Sequence, residues 1–309
     1  MEDKKVSIIL PCYNGEKTIE RAVRGVMNQT YRPIQLILVN DGSTDRTEEI
    51  VLALKPELEA AGIEVIYVPQ ENKGLGGAIN TGLKHVTGEY LAWVDADDEL
   101  LPESVAVRVT FLEENPQYGS VSSNAFLVEE SNWDHPLGRA ESRIELNSEE
   151  DQFEHILLAR SLFCAGCHLV RTEVFKKANG GMDIYPARHG QNWQMLLPVY
   201  YASRHAFLDI PLYKYRINAN NMTAEIDRMS LTQMAKRRRE YISIIENTLG
   251  RMVDMPPKER RRYLQMFKKR MYEQNLDYAI EKQNKAGIMK WRAVVRIMHY
   301  VAKLAERVQ

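Results

Sequence analysis

Three carboxylates crowd into four positions: Asp95, Asp97 and Asp98, spaced only by Ala96, follow the apolar run Tyr90-Leu-Ala-Trp-Val94. Like charges so close repel one another, and none has a basic neighbour in sequence. Carboxylates at i and i+2 leaving a strand can face one bound cation, and a divalent ion removes the repulsion that otherwise raises their pKa values. Oxygen ligands suit Mg2+ or Mn2+, ions commonly held by one or two carboxylates plus substrate phosphates. That chemistry points to a nucleotide diphosphate. A solvated turn is the competing reading, strongest for Asp98, which precedes Pro102 and a helix.

The surrounding pattern positions these acids. Val6–Leu10, Ile34–Val39, Glu64–Val68 and Glu89–Val94 read as strands, and Glu16–Gln29 and Leu75–His85 as helices between them. Near-continuous apolar strands fit a sheet covered on both faces, and strand–helix alternation predicts parallel pairing with right-handed crossovers. In such sheets ligands bind beyond the carboxyl ends of the strands. The loops Pro11-Cys-Tyr-Asn-Gly15, Asn40-Asp-Gly-Ser-Thr-Asp45 and Asp95–Asp98 therefore converge on one edge. Ser43 or Thr44 is expected to cap the helix after the second strand.

Further on, a helix is expected over Pro102–Asn115, a strand over Ser120–Val128 and a loop over 129–150. A helix near Asp151–Leu162, a strand at Leu169–Arg171 and a helix at Thr172–Ala178 follow. Asn192–Ala202 reads as a helix kinked or restarted by Pro198. Beyond Asn221 the pattern is helical, with breaks at Pro256-Pro257 and Gly287. No internal repeat or low-complexity segment interrupts it.

The chain has 309 residues, 44% of them apolar, enough for one large domain or two small ones. Net charge is −1, but residues 228–309 hold 20 Lys+Arg against 8 Asp+Glu. The balance suggests an acidic part, 1–227, and a basic helical part, 228–309. Three cysteines, Cys12, Cys164 and Cys167, make no disulfide framework. Without a signal-peptide pattern or a bilayer-length apolar run, a cytoplasmic, reducing location is expected.

Three stretches now add up. VSIILPCYNGEKTIERAVRGVMNQTY, LILVNDGSTDRT and ENKGLGGAINTGLKHVTGEYLAWVDADDELLP follow one another as in the family 2 glycosyltransferases, which this sequence resembles over its first 110 or so residues. The resemblance implies the α/β GT-A fold, a Rossmann-like, mostly parallel sheet flanked by helices, with 1–115 as a nucleotide-binding half, 116–227 as an acceptor half and 228–309 as a C-terminal helical extension. It also implies sugar transfer from a UDP-sugar donor with Mn2+ or Mg2+, in synthesis of cell-surface polysaccharide. Pro11 and Tyr13 would lie against uracil and ribose, with Asp41 bonding the base edge. For Asp41 the alternative is an Asx-turn. Lys73, Gly74 and Asn80 would line the nucleotide, although Ile79 stands where relatives often carry Arg. Asp95 would touch ribose or metal, Asp97 would hold the metal against the diphosphate, and Asp98 would be a third ligand. Arg216, in PLYKYRINANNMT, would reach the diphosphate; the alternative is a surface Arg at a strand end.

The likeness weakens at the catalytic base. Inverting transfer needs a group that accepts the proton of the attacking hydroxyl, and many relatives place a Glu-Asp pair before a helix there. The corresponding stretch, RHGQNWQMLLP, offers Gln191 and Asn192, and an amide cannot accept that proton. His189, whose ordinary pKa of about 6.5 suits the task, and Asp183 are the titratable candidates. Gln191 and Asn192 would then orient the acceptor, a glycan or lipid-linked sugar. Trp193 offers a sugar-stacking face or a buried one. A nucleotide-sugar-binding protein without transferase activity is the second reading. A nucleotidyltransferase is the third, but its Gly-rich, basic loop after the first strand is missing. The basic helices suit an anionic membrane surface, at the inner face of the membrane, or a homodimer contact; no nucleic-acid-binding motif accompanies them.

Overall fold

The computed structural model describes residues 3–141, 152–161, 164–217 and 228–307, the side chains as far as Met298. They fall into two compact units. One holds the chain up to 217 together with Arg251–Asp254; the other holds 228–250 and 255–307.

In the first unit, β1 (Val6–Cys12), β2 (Ile34–Asn40), β3 (Ile63–Pro69) and β4 (Tyr90–Trp93) pair in parallel in the order β3-β2-β1-β4. Every residue of β1, β2 and β4 is buried, as their unbroken apolar runs require. The helices α1 (Ile19–Met27), α2 (Thr47–Ala60) and α3 (Leu75–Leu83) connect them, and α3 packs on β1 and β2. The helix after β2 starts later than Ser43 or Thr44. Asp45 Oδ1 accepts the Thr47 N–H at 3.0 Å, while Ser43 Oγ accepts from Asn14 N–H.

Beyond β4 the sheet becomes mixed. After the short β5 (Glu99–Leu100) and α4 (Ser104–Glu114), β6 (Tyr118–Glu129) runs antiparallel to β8 (His168–Arg171), which is antiparallel to β4. β9 (Arg204–Ile217) pairs in parallel with β6 through three register shifts and antiparallel with β5. The full order is β3-β2-β1-β4-β8-β6-β9-β5, with β7 (Gly138–Arg139) a hairpin partner of β6. The expectation of a mostly parallel sheet therefore holds for the first four strands and gives way to a curled, mixed one.

Residues 142–151 and 162–163 of the expected loop and helix lie outside the described residues; α5 (Phe153–Leu157) is what is described of that helix. α6 (Thr172–Asn179) follows β8. α7 (Gln191–Ala202) runs unbroken through Pro198 rather than restarting. All of Gln191–Tyr200 is buried, so packing outweighs the roughly 3 kcal/mol that an interior proline costs.

The second unit contains α8 (Leu231–Arg251, whose last residue joins the first unit), α9 (Pro257–Glu281) and α10 (Lys285–Arg307). Pro256-Pro257 opens α9 as expected. The break expected at Gly287 sits instead before α10, where Asn284 Oδ1 caps the Gly287 N–H at 2.7 Å. A Cβ at Gly287 would lie 2.4 Å from Leu231 Cδ2, the free end of a side chain that can turn aside.

Candidate active site

The site grows from three loops tied together at one sheet edge. Asn14, at φ 48°, accepts the Thr44 N–H at 2.8 Å, and its own N–H donates to Ser43 Oγ at 3.0 Å. The Gly15 N–H donates to Thr47 Oγ1 and the Glu16 N–H to Asp45 Oδ2, at 2.8 and 3.0 Å. The β1 and β2 loops are thus one clasp. Pro11 is buried within β1, whereas Tyr13, two positions on, is 54% exposed, a large ring left facing water.

Asp41 is buried at the end of β2. Its Oδ1 accepts from Gln70 Nε2 at 2.6 Å and the Lys73 N–H at 2.8 Å; Oδ2 accepts the Gly74 N–H at 2.9 Å. The Asx role in the turn falls to Asn40, whose Oδ1 takes the Ser43 N–H at 3.0 Å. Asp41 therefore moulds the loop carrying Lys73, which is exposed, and Gly74, whose φ of +77° glycine adopts without strain. Next in α3, Gly76 leaves no room for a side chain. A Cβ would stand 2.2 Å from the Ala187 carbonyl oxygen, which accepts the Gly76 N–H. Asn80 closes the same contact, donating to Ile184 O and accepting the Ile184 N–H, both at 2.6 Å.

The three acids differ in their surroundings. Asp98 is 1% exposed and turned inward: Oδ2 accepts the Tyr213 hydroxyl and Oδ1 the Arg216 N–H, each at 2.8 Å. Asp95 and Asp97 are half-buried. Burial, and then the charge of Asp97, push the Asp95 carboxyl up to about 7. Burial also raises Asp97, opposed in part by Arg216, and raises Asp98 well above the ordinary range, with Asp95 and Asp97 adding to it. Arg216 reaches Asp97 Oδ2 only at 3.9 Å and Glu130 Oε2 at 3.2 Å. Glu130 in turn takes a two-pronged pair from Arg21, at 2.8 and 2.9 Å, and the Arg21 guanidinium lies 3.5 Å over the Trp133 ring.

Among the described residues no group of three or more His, Cys, Asp and Glu is gathered as a metal cage. The donor set fits a cation that brings its own oxygen ligands: two half-buried carboxylates, under-compensated by the cations around them. Asp98 differs from that pair, because both its oxygens are engaged by β9.

On the other side of the edge, His189 is half-buried in the turn before α7, and Gln191 and Asn192 are buried in the first turn. Asn192 Oδ1 accepts the Trp93 indole N–H at 2.9 Å, so the helix is bonded to the strand that carries the acids. Asp183 is exposed and takes Arg251 Nη2 at 2.5 Å. Of the two orientations open to Trp193, the fold has the buried one, with Nε1 donating to Ile156 O at 2.9 Å. Sequence reading missed Arg21, Glu130, Trp133 and Tyr213. Arg21 and Glu130 are 109 positions apart, and neither stands in a pattern that announces the other.

A sheet of this order with carboxylates at the exit of its fourth strand is a fold of the GT-A type. Residues 7–178 match the family model described as glycosyl transferase family 2, more than half of the chain, and the chain belongs to that family. It is 34% identical over 221 residues to EpsJ of Bacillus subtilis, an uncharacterised glycosyltransferase, covering 71% of this chain and 62% of EpsJ. An uncharacterised glycosyltransferase of Rickettsia typhi is 39% identical over 107 residues, 35% of this chain and 31% of that protein. The chain thus spans 31% to 62% of the length of these relatives. Among solved structures, TarS 1–349 of S. aureus in complex with UDP-GlcNAc aligns at TM-score 0.66 and 19% identity, covering 93% of this chain and 79% of that one. The Pyrobaculum calidifontis mannosyltransferase PcManGT, in complex with GDP-Man and Mn2+, aligns at TM-score 0.56 and 16% identity, covering 99% and 87%.

Proposed function

We propose that the protein is a metal-dependent, inverting glycosyltransferase that moves a sugar from a UDP-sugar to a glycan or lipid-linked acceptor in cell-surface polysaccharide synthesis. One observation carries this reading: Asp95 and Asp97, half-buried at the sheet's carboxyl edge, hold negative charge that Arg216 at 3.9 Å offsets only in part. Family membership supports transfer, the relatives named above support a nucleotide-sugar donor, and three free, buried cysteines support a reducing, cytoplasmic compartment.

In this reading Tyr13 stacks on the uracil beside Pro11, while Asp41, with one lone pair left after three hydrogen bonds, takes the base N–H. Lys73, Gly74 and Asn80 shape the wall behind the nucleotide. Asp97 and Asp95 hold Mn2+ or Mg2+, which when bound neutralises charge growing on the departing diphosphate. Arg216, already between Asp97 and Glu130, supplies a second positive charge there. His189 takes the acceptor hydroxyl's proton; Asp183 is the weaker candidate because Arg251 occupies it. Gln191 and Asn192 orient the acceptor.

A second reading, binding without transfer, is favoured by those same amides, which cannot act as base. A thermal-shift panel of UDP-, GDP- and CDP-sugars with and without Mn2+, followed by donor hydrolysis and transfer assays, separates the two. Stabilisation by a UDP-sugar that needs metal, with turnover, supports the transferase; stabilisation without turnover across donors and acceptors supports the binding protein. No stabilisation by any donor overturns both.

A further inference from the structure

The last helix, α10, holds six Lys and Arg against one acid. Its inner face is accounted for within the second unit. Trp291 is 5% exposed, packs with Ala235 and Ala279, and stacks on Tyr272 with ring centroids 5.9 Å apart. The opposite face has no such cover among the described residues. Met289 is 70% and Ile297 62% exposed, with exposed Ala293 between them. Steps of four residues at roughly 100° each keep all three on one side of the helix, over about 12 Å of its length. The same rotation sets Lys285, Arg292 and Arg296 along one flank of this stripe and Lys290 along the other, and all four are exposed.

We propose that this face of α10 docks on an anionic phospholipid surface. An apolar stripe edged by cations is what an interfacial helix needs: Met289, Ala293 and Ile297 enter the headgroup boundary while the flanking cations meet lipid phosphates. A second copy of the chain fits less well, because laying two such faces together sets Lys and Arg against Lys and Arg with no acid between them. No helix of the described chain is long and apolar enough to cross a membrane, so the contact is to the surface. The inference stands apart from the transferase reading, which places nothing on α10.

The test is co-sedimentation of the full chain with phosphatidylcholine vesicles with and without phosphatidylglycerol. Binding is expected to the anionic vesicles alone, and to weaken as salt rises. Met289→Glu with Ile297→Glu, and separately Arg292→Glu with Arg296→Glu, should each cut the bound fraction about tenfold or more. Both pairs are exposed, so far-UV circular dichroism, melting temperature and the donor-induced thermal shift should not change. Equal binding by wild type and both variants overturns the proposal, as does no binding to either vesicle. A wild-type dimer that either variant renders monomeric would assign the face to a second copy instead.

Discussion

The indole N–H of Trp93 donates to the side-chain carbonyl of Asn192 at 2.9 Å. One bond thereby joins the strand ahead of the acids to the first turn of α7, and it sets which way the Asn192 amide faces. Trp93→Phe keeps a ring but removes the donor. A buried acceptor that loses its donor costs about 1–3 kcal/mol. Urea unfolding should show a loss in that range. If Asn192 orients the acceptor, transfer should fall further than donor affinity does.

Asp97→Ala should abolish the metal-dependent part of UDP-sugar stabilisation while leaving the fold intact, since its side chain is 40% exposed. At a donor concentration of about 100 Kd the wild type gains roughly 2.7 kcal/mol, and that is the shift to be lost. An unchanged metal-dependent shift in the variant would remove Asp97 from the metal site.

Tyr213→Phe tests Asp98 as a structural group. The hydroxyl is one of two donors to a buried carboxylate, so its removal should destabilise the chain by about 1–3 kcal/mol. Metal-dependent donor binding should survive at a lower melting temperature. Selective loss of the metal effect, with stability kept, would instead make Asp98 a ligand.

The metal-free protein should lose stability as pH rises toward neutrality. Asp95 has its pKa raised from 3.8 to about 7 by burial and by Asp97. Between those values the folded chain keeps a proton that the unfolded chain releases, so stability falls with pH and levels off above about 7. Asp97 and Asp98 shift in the same direction. Asp95→Asn should flatten the slope in denaturation curves taken across roughly pH 4 to 7, the interval between the two pKa limits.

Gly76→Ala places a methyl 2.2 Å from the Ala187 carbonyl oxygen, a backbone atom that moves only with its loop. Overpacking of this kind costs about 1–3 kcal/mol. The same shift would pull Ala187 and Arg188 from α3, so donor affinity should fall together with the melting temperature.

Much of the half of the sheet built from β1 to β4 could be read before any coordinates. Residues of β1, β2 and β4 are buried on both faces, and such strands announce themselves as apolar runs ending in polar loops. The later half of the sheet could not be read as well. β9 alternates poorly, with half-buried residues along most of its length, because it bends through register shifts against β6. Arg21, Glu130 and Trp133 meet through the fold and carry no local signature. For Asp41, the residue was visible but its partners were not, since two are backbone N–H groups. The break misassigned to Gly287 has a different lesson: that glycine lies inside the first turn of α10, where Asn284 takes its N–H as a helix cap.

The strand β9 has one more consequence, and it concerns synthesis on the ribosome. Asp98 gains its two donors, the Tyr213 hydroxyl and the Arg216 N–H, only when β9 arrives, more than a hundred positions after it. Until then that carboxyl has neither of the partners that hold it in the finished fold. Completion of the charged edge is therefore a late event, timed by the last strand rather than by the residues that bear the charge.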